Sequence, residues 1–409
     1  MTFPVLCADI GTTSLKAALI DIADAPVAGR MLAFARERYN AAGTAAREAV
    51  AWEAAFYRAV LALRGMLPAV RAEAVCISGN GPTLVPLRNA GGDDPFPPLH
   101  WFSPRSAEAG RTASFFLPLA AYFRRNEPEM YEKTRLFLSC HEWLASRLGA
   151  VPVTVLPTPC YRPYYYDDDQ CAAFSLDARK FPSFVPLGTV TGHVSREAAE
   201  RSALAAGIPV TAGGPDFIMA LLGSGAIEPG LVCDRAGSSE GINVCADIPP
   251  PDAVSARYSL RVLPHAIEGL WNVSVVLPDS GSIFDRYRLE TGCQGDSYEE
   301  TLRGMAGADE TAVLHPVLQR IADGAHGVIE TLRKAGYPVR EMRHSGGQAK
   351  SPIWNRLKAR ACGCTLLVPE IADTELAGNA AACMLALGCA PDIACACKKI
   401  VVIKNVFNG

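Results

Sequence analysis

Four short stretches of this sequence combine residue types that bind phosphate or move a proton. The first is Asp9-Ile10-Gly11-Thr12-Thr13-Ser14-Leu15-Lys16. A glycine and three hydroxyl residues between apolar runs make a turn whose backbone N–H groups and side-chain donors can converge on phosphate oxygens. Asp9, at the end of the preceding run, can hold Mg²⁺ through water, and Lys16 adds positive charge nearby. The same Gly, Thr and Ser also favour an ordinary β-turn for local reasons. The second stretch, Ala236-Gly237-Ser238-Ser239, is another small, donor-rich loop where a β- or γ-phosphate fits. The third, Ser345-Gly346-Gly347-Gln348-Ala349-Lys350-Ser351, stands before an expected helix. Its paired glycines allow close approach of a flat ring or a sugar, and a helix N-terminus favours anions. The fourth, Gly213-Gly214-Pro215-Asp216, sets a carboxylate at a strand end, where it can accept a hydroxyl proton as that oxygen attacks phosphorus. Asp216 is equally suited to cap the following helix, so a catalytic role rests on all four stretches occurring together.

The elements that must position these stretches are legible in outline. Strands are expected from Val5 to Ile10 and from Leu15 to Ile22, forming a hairpin around the first turn. Helical spacing of Val50, Ala54, Tyr57, Val60, Leu61 and Met66 predicts a helix over 45–67, and a strand over 74–78 ends in Gly79-Asn80-Gly81-Pro82. Pro and aromatic residues mark 93–101 and 151–166 as surface loops, while helices are expected over 128–148 and 196–206. A strand over 209–212 leads to Asp216 and a helix over 217–222. Strands over 231–234 and 242–246 flank Gly237, Ser238 and Ser239, echoing the first hairpin, so two related halves are expected. Further on, 315–335 and 354–362 read as helices, 341–344 as extended, and 375–387 as a nearly all-apolar, buried helix.

At 409 residues the chain exceeds one ordinary core, and two domains are expected. A net charge of −3 provides no broad basic field for nucleic acid. The opening residues lack the basic n-region of a secretory signal, and the most apolar later window, 205–227, is broken by Pro, Gly and Asp216, so no membrane span is expected. The 14 cysteines lack the paired C-x₂-C spacing that zinc would want, and most stand in apolar runs. They read as buried free thiols, which implies a reducing cytoplasm.

The four stretches in this order resemble the FGGY carbohydrate kinase family, whose members include glycerol kinase, xylulokinase, ribulokinase and gluconokinase. The likeness runs from Asp9 to about Leu387. It takes in Phe184-Val185-Pro186-Leu187-Gly188 through Gly207-Ile208-Pro209-Val210, similar to the family's lead-in to its catalytic Asp, and Glu375-Leu376-Ala377-Gly378-Asn379-Ala380-Ala381, similar to its buried helix near the adenosine site. The resemblance implies an α/β fold of two actin/hexokinase-like (ribonuclease H-like) domains, 1–222 and 223–409, each a mixed β-sheet flanked by helices. ATP and Mg²⁺ would lie in an interdomain cleft. Gly11, Thr12, Thr13 and Ser14 match the first phosphate loop, with Lys16 beside it. Gly237 and Ser238 match the second, Gly346, Gly347 and Gln348 the adenosine loop, and Asp216 the catalytic base. Ser78-Gly79-Asn80 and Trp101-Phe102-Ser103-Pro104-Arg105 fall where the family contacts its sugar, with Asn80, Trp101 and Arg105 as the contacting side chains. The implied activity is ATP-dependent phosphorylation of a sugar or polyol hydroxyl. The partner is then a small molecule, and a homodimer is compatible with the sequence.

Departures gather at the acceptor side. Where xylulokinase-like members carry Gln-Met-His-Gly, this chain has Asn80-Gly81-Pro82-Thr83, and the family's Trp-x-Asp-x-Arg becomes Trp101-Phe102-Ser103-Pro104-Arg105, losing a carboxylate. Such changes leave the acceptor open, since a polar site rejects molecules lacking the matching hydroxyls. A regulator on a degenerate kinase scaffold is the alternative reading. Gly237-Ser238-Ser239-Glu240-Gly241 also fits the hydrolase pattern G-x-S-x-G, which requires a strand, a sharp turn and then a helix, whereas a strand is expected here after the turn.

Overall fold

A computed structural model describes residues 3–23, 29–39, 48–88, 95–100, 112–306 and 315–409. The chain forms two compact units, one of residues 1–223 with 375–400, the other of residues 224–374 with 401–409.

The first unit is built on a six-stranded mixed sheet ordered Val190–His193, Pro209–Thr211, Val75–Gly79, Pro4–Ile10, Ser14–Asp21, Arg30–Arg38. Every residue of Pro4–Ile10 is buried, as expected of a central strand covered on both faces. It pairs antiparallel with Ser14–Asp21 and parallel with Val75–Gly79. The Glu48–Met66 helix covers this sheet, burying Trp52, Phe56, Val60 and Leu63 in one core with Trp143 and Leu144.

The second unit repeats this plan. Its seven-stranded sheet runs Arg261–Pro264, Trp271–Leu277, Glu240–Ala246, Val232–Ala236, Glu341–Gly346, Thr365–Pro369, Ile403–Phe407. Here too a tight antiparallel hairpin, Val232–Ala236 with Glu240–Ala246, carries a third antiparallel strand on one side. On the other side, its first strand pairs parallel with Glu341–Gly346. The echo expected between residues 5–22 and 231–246 is therefore a repeat of sheet topology. Both units are mixed sheets with helices, the α/β class expected. Among the described residues no helix is long and apolar enough to cross a membrane.

Three local expectations are corrected. The single helix expected over 128–148 is a short helix, Pro128–Glu132, a strand, Thr134–Leu138, and a second helix, Cys140–Leu148. The strand pairs with Thr83–Arg88, and Ser139 and Glu142 form a capping box that restarts the helix. The stretch 151–166 is not simply a surface loop, since Tyr161, Tyr165 and Tyr166 are buried. Tyr166 stacks on Phe184 with ring centroids 4.7 Å apart, and its hydroxyl donates to Thr154 Oγ1 at 2.8 Å. A satisfied hydroxyl lets a tyrosine serve as core. Likewise Phe96 and Leu99, in a stretch expected to be exposed, are buried.

Candidate active site

In the first unit the turn after Pro4–Ile10 is closed by the Gly11 N–H donating to Ser14 O at 3.0 Å. A Cβ at position 11 would stand 2.9 Å from that oxygen, so the turn needs glycine. Thr12 and Thr13 are exposed at its tip, while Gly11 and Ser14 are half-buried. Asp9 lies opposite Lys16 on one neighbouring strand and opposite Ser78 on the other, which puts all three side chains on the same face of the sheet. Asp9 Oδ1 accepts from Ser78 Oγ at 2.8 Å, and Ser78 Oγ in turn accepts from Asn379 Nδ2 at 3.0 Å. Asn379 Nδ2 also donates to Ala8 O at 2.8 Å. The Thr374–Ala386 helix that carries Asn379 comes close because Gly378 has no side chain: a Cβ there would meet Met219 O at 2.1 Å.

Asp216 opens the Asp216–Ser224 helix and is half-buried. Gly79 pairs with Ile10 on one side and forms a parallel bridge to Pro215 on the other, so the residue before Asp216 and the residue after Asp9 flank the same strand end. A Cβ at Gly213 would meet Ile77 O at 2.1 Å, which explains a glycine at this approach. The Asp9 carboxylate feels its acidic neighbours. Burial first, then the charges of Glu375 and Asp216, push the Asp9 pKa up to about 7, against the opposing pull of Lys16 and the Ser78 hydrogen bond. Lys16 Nζ lies 3.9 Å from Glu375 Oε2. A surplus of negative charge on hard oxygen donors is what a divalent cation relieves. Among the described residues no three His, Cys, Asp or Glu side chains converge to hold a metal by themselves. Mg²⁺ does not need them, because it keeps several waters and binds through one or two carboxylates plus substrate phosphates. The residues here fit that ion.

Asn80 is buried, and its amide is engaged at both ends: Nδ2 donates to Ile10 O at 3.1 Å and Oδ1 accepts from Thr83 Oγ1 at 2.8 Å. Beside it, Cys140 Sγ contacts Asn80 O at 3.3 Å. His141 is buried, its Nδ1 has no hydrogen-bond partner, and burial lowers its pKa to about 3, so the imidazole is neutral. Glu48, His100 and Thr83 form a further line, with His100 Nε2 2.9 Å from Glu48 Oε2. Trp101 and Arg105 lie outside the described residues.

In the second unit Gly237, Ser238 and Ser239 form an exposed turn. The turn is closed by the Gly237 N–H donating to Ser239 O at 2.9 Å. A strand, Glu240–Ala246, follows, so the strand-turn-helix geometry of a hydrolase elbow is absent here. The Ser280 and Gly281 N–H groups donate to Ser238 O and Gly237 O at 3.0 and 3.1 Å, seating the start of the Gly281–Glu290 helix on the turn. The loop at 346–348 adjoins the same turn, because Ala236 pairs with Gly346. Gly346 has φ +89, and a Cβ there would stand 2.3 Å from Ala236 O. Gly347 is exposed. Gln348 is buried: its Nε2 donates to Ser280 Oγ at 2.9 Å and its Oε1 accepts from Trp354 Nε1.

The structure thus brings Asp9, Gly11–Ser14, Lys16, Asn80 and Asp216 to one end of the first sheet, and Gly237, Ser238 and Gly346–Gln348 to one edge of the second unit. Ser78, expected with its neighbours on the sugar side, holds Asp9, while sequence inspection gave no individual role to Asn379 or Glu375. Only the polar residues Asn379 and Glu375 inside an otherwise apolar helix hinted at them.

Two family models match the chain, the N-terminal domain of the FGGY family of carbohydrate kinases over residues 110–223 and its C-terminal domain over 308–387. Among curated proteins, the autoinducer-2 kinase of Enterobacter sp. (strain 638) is 22% identical over 351 residues, covering 71% of this chain and 64% of that protein. That of Salmonella typhimurium (strain LT2) is 23% identical over 267 residues, covering 52% of this chain and 49% of that protein. The chain therefore spans between about half and two thirds of the length of these relatives. Similar solved structures include xylulose kinase from Rhodospirillum rubrum, at 17% identity and TM-score 0.74, covering 99% of this chain and 94% of that one. Plasmodium falciparum glycerol kinase with ADP matches at 12% identity and TM-score 0.75, covering 100% and 94%. At such identities the structures speak for the fold, and they agree with the repeated mixed sheets. With both of its domain models matched in order along one chain, the protein belongs to the FGGY family of carbohydrate kinases.

Proposed function

We propose that this protein transfers the γ-phosphoryl group of ATP to a hydroxyl of a sugar or polyol, with Asp216 as the general base. The observation that carries this reading is the pairing of Gly79 with both Ile10 and Pro215, which sets Asp216 beside Asp9 and the 11–14 turn. Asp216 accepts the proton of the acceptor hydroxyl as its oxygen bonds to the γ-phosphorus, and the bond from that phosphorus to the β–γ bridging oxygen breaks to leave ADP. Gly11, Thr12, Thr13 and Ser14 supply donors to phosphate oxygens, and Lys16 supplies charge. Asp9 would hold Mg²⁺, and the bound ion would neutralise charge on the phosphates. In the second unit Gly237 and Ser238 face phosphate, and Gly346 and Gly347 offer bare backbone to the adenosine. Gln348, with both ends of its amide engaged within the protein, supports that loop from beneath. Asn80 orders the strand end that faces the acceptor. Relatives named as kinases of autoinducer-2, xylulose and glycerol support a small-molecule acceptor.

The test is a panel of polyols, ketopentoses and sugar acids with ATP and Mg²⁺, read by ADP release. Acceptor-stimulated turnover is expected, and Asp216→Asn should lower kcat roughly 10²- to 10⁴-fold while ADP still binds. Turnover unchanged in that variant removes the mechanism, and a wild-type protein that binds ADP but phosphorylates nothing in the panel favours the regulator on a kinase scaffold.

A further inference from the structure

The second unit contains a buried ion cluster that the reaction as described does not use. Lys358 lies on the Pro352–Cys362 helix with its side chain 0% exposed. Its Nζ lies 2.5 Å from Asp234 Oδ2 and 2.7 Å from Glu240 Oε1. His344 Nδ1 lies 2.7 Å from the same Asp234 oxygen, and Glu240 Oε2 accepts from Ser280 Oγ at 2.7 Å. An isolated charge at such depth is strongly disfavoured, so the cluster persists only because its members neutralise and orient one another. Burial opposes the charge on Lys358, but the two carboxylates outweigh it and hold the ammonium's pKa above its ordinary value. Burial alone would raise Asp234, yet Lys358 and His344 hold it down to about 2. Burial, joined by Lys358, lowers the His344 pKa against the opposing pull of Asp234.

The places these partners occupy give the cluster its meaning. Asp234 and Glu240 lie on the two strands that carry the Gly237–Ser239 turn, one on each side of it. His344 is two residues before Gly346 on the strand that ends in the 346–348 loop. Ser280 joins the two loops directly: its N–H donates to Ser238 O, its hydroxyl donates to Glu240, and it accepts from Gln348 Nε2. Trp354, four residues before Lys358 and so on the same helix face, holds the other end of Gln348. One helix face therefore grips the 237–239 turn through Lys358 and the 346–348 loop through Trp354.

We propose that Lys358 is a positioning residue for the nucleotide, its ammonium fixing through Asp234, Glu240 and Ser280 the mutual geometry of the 237–239 turn and the 346–348 loop. This rests on the reading that both loops of this unit hold ATP. Lys358 itself touches no substrate atom. Its loss leaves two buried carboxylates facing each other across the root of the turn, and the loops separate to let in water.

Equilibrium binding of ADP with Mg²⁺ by calorimetry, together with steady-state kinetics, tests this on the full chain. Lys358→Met should weaken ADP binding at least about tenfold, with the acceptor KM within about twofold of wild type. Ser280→Ala leaves Glu240 paired with Lys358 and so keeps the test valid if the first variant fails to fold. It should weaken ADP roughly tenfold by leaving Gln348 Nε2 unsatisfied. Folded Ser280→Ala protein with unchanged ADP affinity overturns the proposal, as does an acceptor KM that rises as much as the ADP dissociation constant in either variant. If the wild-type protein binds no ADP, the kinase reading fails and takes this proposal with it. Wild-type binding with insensitive variants defeats the proposal alone.

Discussion

Replacing Glu142 with glutamine isolates the cost of a buried carboxylate in the helix that carries Cys140 and His141. Glu142 is 8% exposed, and its Oε2 accepts from the Ser139 N–H at 2.7 Å as half of the capping box. Burial raises its pKa from 4.5 to about 7, against the opposing hydrogen bonds from Ser139 and Thr154. A carboxyl whose folded pKa lies above its unfolded value penalises folding when ionised. The penalty is absent below pH about 4.5, grows as pH rises through about 7, and is then constant. The shift corresponds to about 3 kcal/mol. Glutamine keeps an acceptor for the Ser139 N–H and carries no charge, so the variant should escape the penalty. Urea unfolding at pH 5 and pH 8, followed by tryptophan fluorescence with Trp143 buried next door, gives the comparison. Wild type should lose most of that ~3 kcal/mol relative to Glu142→Gln between the two pH values. Parallel pH profiles for the two proteins would refute the reasoning, as would a variant that is relatively less stable at pH 8 than at pH 5.

Gly346→Ala places a Cβ at φ +89 and 2.3 Å from Ala236 O. The left-handed conformation alone costs about 1–2 kcal/mol, so the KM for ATP should rise roughly tenfold in initial-rate assays, with the acceptor KM little changed. Asn379→Leu leaves Ala8 O and Ser78 Oγ without their donor beneath Asp9, and should destabilise the protein by about 1–3 kcal/mol in urea unfolding. Chelation with EDTA should abolish acceptor-stimulated ADP release, and excess Mg²⁺ should restore it. Turnover that survives chelation would remove the role given to Asp9.

Both glycine-rich turns were legible because their chemistry is local. Gly11, Thr12 and Thr13, and later Gly237, Ser238 and Ser239, interrupt apolar runs, and chain reversal is the way such a run stays in one sheet. Asp216 was legible for the same reason, as a carboxylate that follows two glycines at a strand end. The helix expected over 128–148 failed because Thr134–Leu138 became a strand through pairing with Thr83–Arg88, a partner over 40 residues earlier in sequence. The aromatic stretch 151–166 misled in the opposite sense, since Tyr165 and Tyr166 have their partners at Phe116, Phe181 and Phe184.

What the sequence determined by itself was the set of turns, the carboxylate behind paired glycines, and the doubling of one hairpin plan, all fixed by neighbours a few residues away. Tertiary structure alone decided what surrounds them. Lys358 reads in sequence as one more basic residue on the helix expected over 354–362, and only the convergence of Asp234, Glu240 and Lys358 across more than 100 residues of chain makes it a buried ion. Likewise Ser78 and Asn379 come to hold Asp9 only when a strand and a helix from distant parts of the chain pack against it. A charge or an amide gains its role from the dielectric and the partners around it, and those are supplied by the fold.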